Sequence, residues 1–280
     1  MTETTAAPNL EAITGWAAGV PFTALPPAGG PDVEAPLVVT WHMMDAPRSD
    51  AAFAAALPLA AVPAWRVHLG MPWVGRRTKA DGYETALAEP MLGYVEPVVR
   101  QATDEFPPAL GELRERFPVA AGPIGVVGAS LGGTVALNVV ARLPVEVAVV
   151  ALVNPAIRAR TAVEVLTAAA GTSYDWGERA RAAADRLDFV AHAGLVGGRT
   201  PPPAVLVVSG SLDYPTSRAD AGQLVTALQA EHRDPARALL MTITGLDHPL
   251  AERPGLEPAP QLPLARTVDR LVSDWLRANL

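Results

Sequence analysis

Ser130 stands in the run Gly128-Ala129-Ser130-Leu131-Gly132-Gly133, directly after apolar Ile124-Gly125-Val126-Val127 and directly before Thr134-Val135-Ala136-Leu137-Asn138-Val139-Val140, which reads as a helix. A serine on a sharp strand-to-helix turn is presented as a nucleophile, and the small residues two before and two after it are needed because a Cβ there would collide with neighbouring backbone. The same spacing also fits a plain glycine-rich turn or a phosphate-binding loop. Partners elsewhere in the chain must separate these readings.

A serine hydroxyl is a poor nucleophile unless a histidine takes its proton and a carboxylate orients that histidine. The chain has five histidines: His42, His68, His192, His232 and His248. His248, in Thr244-Gly245-Leu246-Asp247-His248-Pro249, follows the last strand signal and is the candidate general base, a solvated loop histidine being the alternative. Asp213, in Gly210-Ser211-Leu212-Asp213-Tyr214-Pro215, is the candidate acid, with a turn or helix-capping aspartate as the alternative. Asp247 is a weaker rival because adjacent side chains on one loop rarely let a carboxylate reach the far ring nitrogen. His68 reads as a strand residue, and His192 and His232 flank helices.

These groups need a scaffold. From about residue 36, β-rich runs alternate with helical stretches, the signature of βαβ units and a mostly parallel sheet. The expected strands are Pro36 to Trp41, Trp65 to Leu69, Pro123 to Val127, Val145 to Val153, Ala204 to Ser209 and Ala238 to Thr244. Expected helices are Ser49 to Ala61, Val95 to Phe117 with a break or kink at Pro107-Pro108, one starting at Ser130, Thr216 to His232, and Leu264 to Ala278. Residues 71 to 94 read as an irregular excursion able to form a pocket wall, with Trp73 in it. Helical stretches Thr161 to Ala170 and Trp176 to Val190 read as an insertion above the sheet. The expectation is one domain over 1–280, with a helical cap at about 156–200 after the sixth strand.

Ser130, Asp213 and His248 run in the order nucleophile, acid, base, each after its own strand, and ligand sites of open parallel sheets lie outside the carboxyl ends of the strands. On this turn, order and context the sequence resembles the α/β-hydrolase superfamily from about Pro36 to Leu280. The resemblance implies an α/β-hydrolase fold and an oxyanion hole made by backbone N–H groups, one from Leu131. The family's His-Gly-x segment looks like His42-Met43-Met44, which gives the second amide to Met44, with Met43 as the alternative. Methionine replaces the usual glycine there. His42 is then a structural residue beneath the oxyanion loop.

The function expected is a serine hydrolase that cleaves a carboxylic ester through an acyl-enzyme. A thioesterase or small serine peptidase on the same fold is the alternative, and a non-catalytic hydrolase-like binding protein a more distant one. Met43, Met44, Trp73 and the insertion around Trp176 suggest an apolar acyl pocket. Composition agrees: 280 residues, half of them apolar, can bury a large core, and a net charge of −7 with no basic stretch argues against nucleic acid or an anionic membrane surface. No cysteine is present, so disulfides and thiolate chemistry are excluded. The N-terminal Met1 to Pro8 lacks the charge and apolar run of a signal peptide, making a cytoplasmic protein with a small-molecule ester substrate the default expectation, with no cofactor or metal implied.

Overall fold

The computed structural model describes residues 11–80, 84, 86 and 88–280; the Met1 to Pro8 reading and Gly82 of the excursion lie outside these. Eight strands form one sheet: β1 Ile13–Ala17, β2 Val20–Leu25, β3 Leu37–Trp41, β4 Trp65–Leu69, β5 Ile124–Ala129, β6 Val147–Val153, β7 Ala204–Gly210 and β8 Ala238–Ile243. Their spatial order is β1-β2-β4-β3-β5-β6-β7-β8. β2 is antiparallel to both β1 and β4, and all other pairs are parallel. β1 and β2 extend the sheet beyond the first expected strand. Their two-residue turn, Ala18-Gly19 at φ 45° and 80°, is the left-handed pair that matches a twisted hairpin.

The central strands are buried on both faces, so their side chains sort alternately into two cores. Val38, Val127, Val149 and Leu206 pack on one side, whereas Val39, Val126, Val150 and Val207 pack on the other. The first core is closed by α1 Asp50–Ala56 and the C-terminal helix Pro263–Asn279, which contribute Phe53, Val268, Val272 and Leu276. On the second lie α2 Glu96–Arg116, α3 Leu131–Arg142 and the helix Pro215–Glu231. Full burial of one such valine or leucine is worth about 1.5–3 kcal/mol, and this alternation stabilises the sheet across its width.

Two expectations need correction. α1 stops at Ala56 instead of Ala61, because Pro58 disfavours helical backbone at Leu57. α2 runs unbroken through Pro107 and Pro108. Both prolines face solvent, while Phe106, Ala109, Leu110 and Leu113 anchor the helix beneath. Residues 156–200 form α4 Ala159–Ala169, α5 Glu178–Arg186 and the short α6 Gly194–Gly197, followed by α7 Pro215–Glu231 and α8 Pro263–Asn279. Within this insertion α6 lies against α3 and α7. Before α2, residues Met91–Val95 make a π-helical turn. Among the described residues, no helix is long and apolar enough to cross a membrane.

Candidate active site

β5 ends at Ala129, and Ser130 turns the chain directly into α3 with φ 50° and ψ −123°. This left-handed, strained backbone is held by Ser130 N–H donating to Val153 O at 3.0 Å and by Gly133 N–H and Ala156 N–H both donating to Ser130 O, at 2.9 and 3.0 Å. The glycines are required by close approach. A Cβ on Gly132 would overlap Trp41 O and lie 2.6 Å from His42 O, and one on Gly128 would overlap Gly132 O and lie 2.7 Å from Gly133 Cα. The turn thus brings α3 against the backbone that leaves β3.

Asp213 lies three residues past β7 and His248 five residues past β8. Ser130 Oγ is 2.9 Å from His248 Nε2, and His248 Nδ1 is 2.7 Å from Asp213 Oδ1. The Asp213 side chain is buried and that of His248 is 13% exposed, so solvent reaches the imidazole and not the carboxylate behind it. Asp247 Oδ1 instead accepts from the His248 backbone N–H at 2.8 Å and touches no ring nitrogen. The three separated sequence positions are therefore brought into one hydrogen-bonded chain, and the rival acid is outside it.

Asn154, at the end of β6, is a residue the sequence reading passed over. Buried at φ 43°, it donates from Nδ2 to the carbonyls of Asp247 (2.9 Å) and His248 (3.0 Å), while its Oδ1 accepts from Gly210 N–H at 2.7 Å. One amide side chain ties the Asp213 strand to the His248 loop. Its only signal in the sequence was the pair Asn154-Pro155 at the end of a strand, a place where asparagine tolerates left-handed backbone.

His42 lies fully buried under the loop after β3. Met71 N–H donates to His42 Nε2 at 2.9 Å, so the ring proton resides on Nδ1 and is donated to Met43 O at 2.7 Å. Carbonyl and N–H of a trans peptide point in opposite directions, so pinning Met43 O to the ring turns the Met44 N–H away from it. Met43 itself is in the core. Among the described residues, the amides of Leu131 and Met44 have no acceptor within the protein.

Burial pushes His42 down to about 4, against the pull of its bond to Met43, and pushes neighbouring His68 down to about 3, with Arg66 adding to the effect. Both rings are neutral in the fold, whereas in the unfolded chain each takes up a proton below its ordinary 6.5. The unfolded state then binds more protons, so stability rises with pH; it is fully present above about 6.5 and is lost as pH falls toward those depressed values. At pH 5 each histidine is expected to cost about 2 kcal/mol relative to neutral pH. Urea unfolding at both pH values should show that loss, and His68→Gln should show about 2 kcal/mol less of it. Equal losses in both proteins would contradict the assignment.

Ser130, Leu131, Met44, Tyr94 and His248 border a cavity of about 230 Å³, roofed by Ala162, Val165, Leu166 and Ala169 of α4. A larger chamber of about 930 Å³ continues from it, sharing Met44, Asp45, Tyr94, Leu166, Ala169 and Tyr214. Trp73 lines this second chamber, as expected of the excursion, and its Nε1–H donates to Gln101 Oε1 at 3.1 Å. Met43 and Trp176 line neither. Trp176 packs edge-on to Tyr174 with the Arg160 guanidinium 4.4 Å from its ring centre.

No family model matches the sequence, and no curated protein matches it. Solved structures do. An esterase/lipase from an uncultured bacterium is 14% identical, with 98% of this chain and 86% of that one covered at a TM-score of 0.60. Dienelactone hydrolase from Anabaena variabilis is 16% identical over 98% and 100% of the two chains, with a TM-score of 0.53. The chain has the α/β-hydrolase fold. Dipeptidyl peptidase 4 from Porphyromonas gingivalis contains the same α/β-hydrolase fold: 14% identity, a TM-score of 0.60, and 96% of this chain matched to 35% of that one. With proteins of such different names on one fold, the likeness carries architecture and leaves the chemistry to the site.

Proposed function

We propose that the protein is a serine hydrolase that cleaves a carboxylic ester through an acyl-enzyme intermediate. The observation that carries the reading is the continuous chain Ser130 Oγ, His248 Nε2, His248 Nδ1, Asp213 Oδ1, with links of 2.9 and 2.7 Å, opening on an apolar cavity. Ser130 Oγ attacks the ester carbonyl as its proton passes to His248 Nε2. Asp213 accepts the Nδ1 proton's hydrogen bond and stabilises the imidazolium that forms. The N–H groups of Leu131 and Met44 receive the oxyanion, each donor being worth about 10²–10³ in rate. His248 returns its proton to the departing alcohol. A water deprotonated by the same nitrogen then attacks the acyl-enzyme, and the acid is released with Ser130 restored.

A fluorophosphonate, which phosphonylates only an activated serine, tests the reading directly. Wild type should label and Ser130→Ala should not, with both giving the same far-UV circular dichroism. Equal labelling of the two would remove Ser130 from the mechanism. A panel of p-nitrophenyl esters, acyl-thioesters and aminoacyl amides then tests the substrate class, and preference for amides over short esters would favour the peptidase.

A further inference from the structure

Arg48 follows the oxyanion loop and lines the larger chamber, next to Tyr94, Tyr214 and Met44, which line both chambers. Its Nε is buried with no hydrogen-bond partner, and among the described residues its guanidinium makes no ion pair or side-chain hydrogen bond. The nearby acids are committed elsewhere. Asp45 binds Arg253 through two bonds of 3.0 and 2.6 Å, and Asp50 binds Arg76 at 2.5 Å and Thr23 at 2.8 Å. The guanidinium lies close enough to the Tyr94 phenol and the His42 ring for its charge to act on both.

We propose that Arg48 is the anion-binding end of the substrate cleft, and that the preferred substrate is a carboxylic ester bearing a second, free carboxylate; this rests on the esterase reading of Ser130. A guanidinium presents a planar fork of N–H donors that matches a carboxylate, and a partly buried one is weakly screened by salt. Of the other cations in the chamber wall, Arg253 is paired with Asp45 and the Lys79 ammonium stands 4.6 Å from the Trp73 ring centre, so among the described arginines of this wall Arg48 is the one left to meet an incoming carboxylate. The scissile carbonyl would lie at Ser130 with the chain passing Tyr94 and Met44, which places the anion remote from the bond being broken. There it contributes binding and orientation more than chemistry.

The test compares mono-p-nitrophenyl glutarate with p-nitrophenyl valerate, and 4-acetoxybenzoate with phenyl acetate, so that the carboxylate is on the acyl side in one pair and on the alcohol side in the other. In at least one pair kcat/KM should favour the anion about tenfold or more, mostly through KM, and Arg48→Gln should reduce that ratio at least tenfold. A charged hydrogen bond of ordinary strength corresponds to an effect of about that size. No preference in wild type, or an unchanged ratio in Arg48→Gln, overturns the proposal. Should that variant fail to fold, Arg48→Lys keeps the charge without the fork and should lower the ratio severalfold; an unchanged ratio again overturns it. Calorimetric titration of both anionic esters into Ser130→Ala and into Ser130→Ala with Arg48→Gln separates this idea from the esterase reading. Binding to the first and not the second, with no ester turned over by wild type, would retain the anion site and reject the esterase. Equal binding by the two proteins would reject the anion site.

Discussion

Asp213→Asn is expected to lower kcat on a p-nitrophenyl ester by about 10³–10⁴ while leaving the fold intact. The carboxylate is buried, and its Oδ1 accepts both from His248 Nδ1 at 2.7 Å and from the Tyr214 backbone N–H at 2.8 Å. Asparagine has the same shape and can still accept from Tyr214. It cannot supply the negative charge that stabilises an imidazolium, and its amide can donate to Nδ1, which would move the ring proton to Nε2 and block uptake of the serine proton. Asp247→Asn should cost less than about tenfold, since that exposed side chain accepts only the His248 backbone N–H, which an asparagine oxygen also does. Steady-state kinetics of the two variants, with thermal unfolding as the control, gives the ranking. The reverse order would transfer the acid's role to Asp247.

Gly132→Ala is expected to be among the most damaging single-methyl changes in the molecule. The glycine is in ordinary helical backbone, so the cost comes from contact alone: the new Cβ would overlap Trp41 O and stand 2.6 Å from His42 O. Both are main-chain atoms at the end of β3 and cannot rotate away as a side chain could. Relief requires separating α3 from the loop that carries His42 to Met44, which would also part the amides of Leu131 and Met44. Overpacking of this kind costs roughly 3 kcal/mol or more, a fall in Tm of about 10 °C for a chain of this size, with loss of activity in whatever remains folded. Gly222→Ala is the matched control. It sits in α7 with nothing within 4 Å of the added Cβ, and should stabilise by up to about 1 kcal/mol through helix propensity. Similar melting temperatures for the two variants would contradict the steric argument.

Much of this arrangement is readable from the chain because strongly apolar strands such as Val147–Val153 and Ala204–Gly210 announce themselves, and Ser130, Asp213 and His248 each follow one directly. The β1–β2 hairpin was hidden because Gly15, Gly19 and Pro21 interrupt its strand signal; Pro21 lies just before the stretch Phe22–Leu25 that pairs with β4. Pro107 and Pro108 misled for the opposite reason. A local rule predicts a break, yet the eight buried residues of α2 outweigh the two hydrogen bonds that the prolines cannot donate. Asn154 left only its pairing with Pro155 as a signal and Arg48 none, since what distinguishes them is hydrogen bonds made across 56 to 94 residues in the first and a buried Nε without a partner in the second.

The roof over the cavity comes from one eleven-residue helix, α4, whose contribution is four aliphatic side chains, whereas each group proposed to handle the reacting carbonyl hangs from the end of a sheet strand. On the proposed function, selectivity and reactivity therefore occupy separable modules. Single substitutions at Val165 or Leu166 can enlarge or narrow the space offered to an acyl chain without disturbing either buried core of the sheet. Such an architecture lets substrate range drift through evolution, or be redesigned, while the chemistry beneath stays constant.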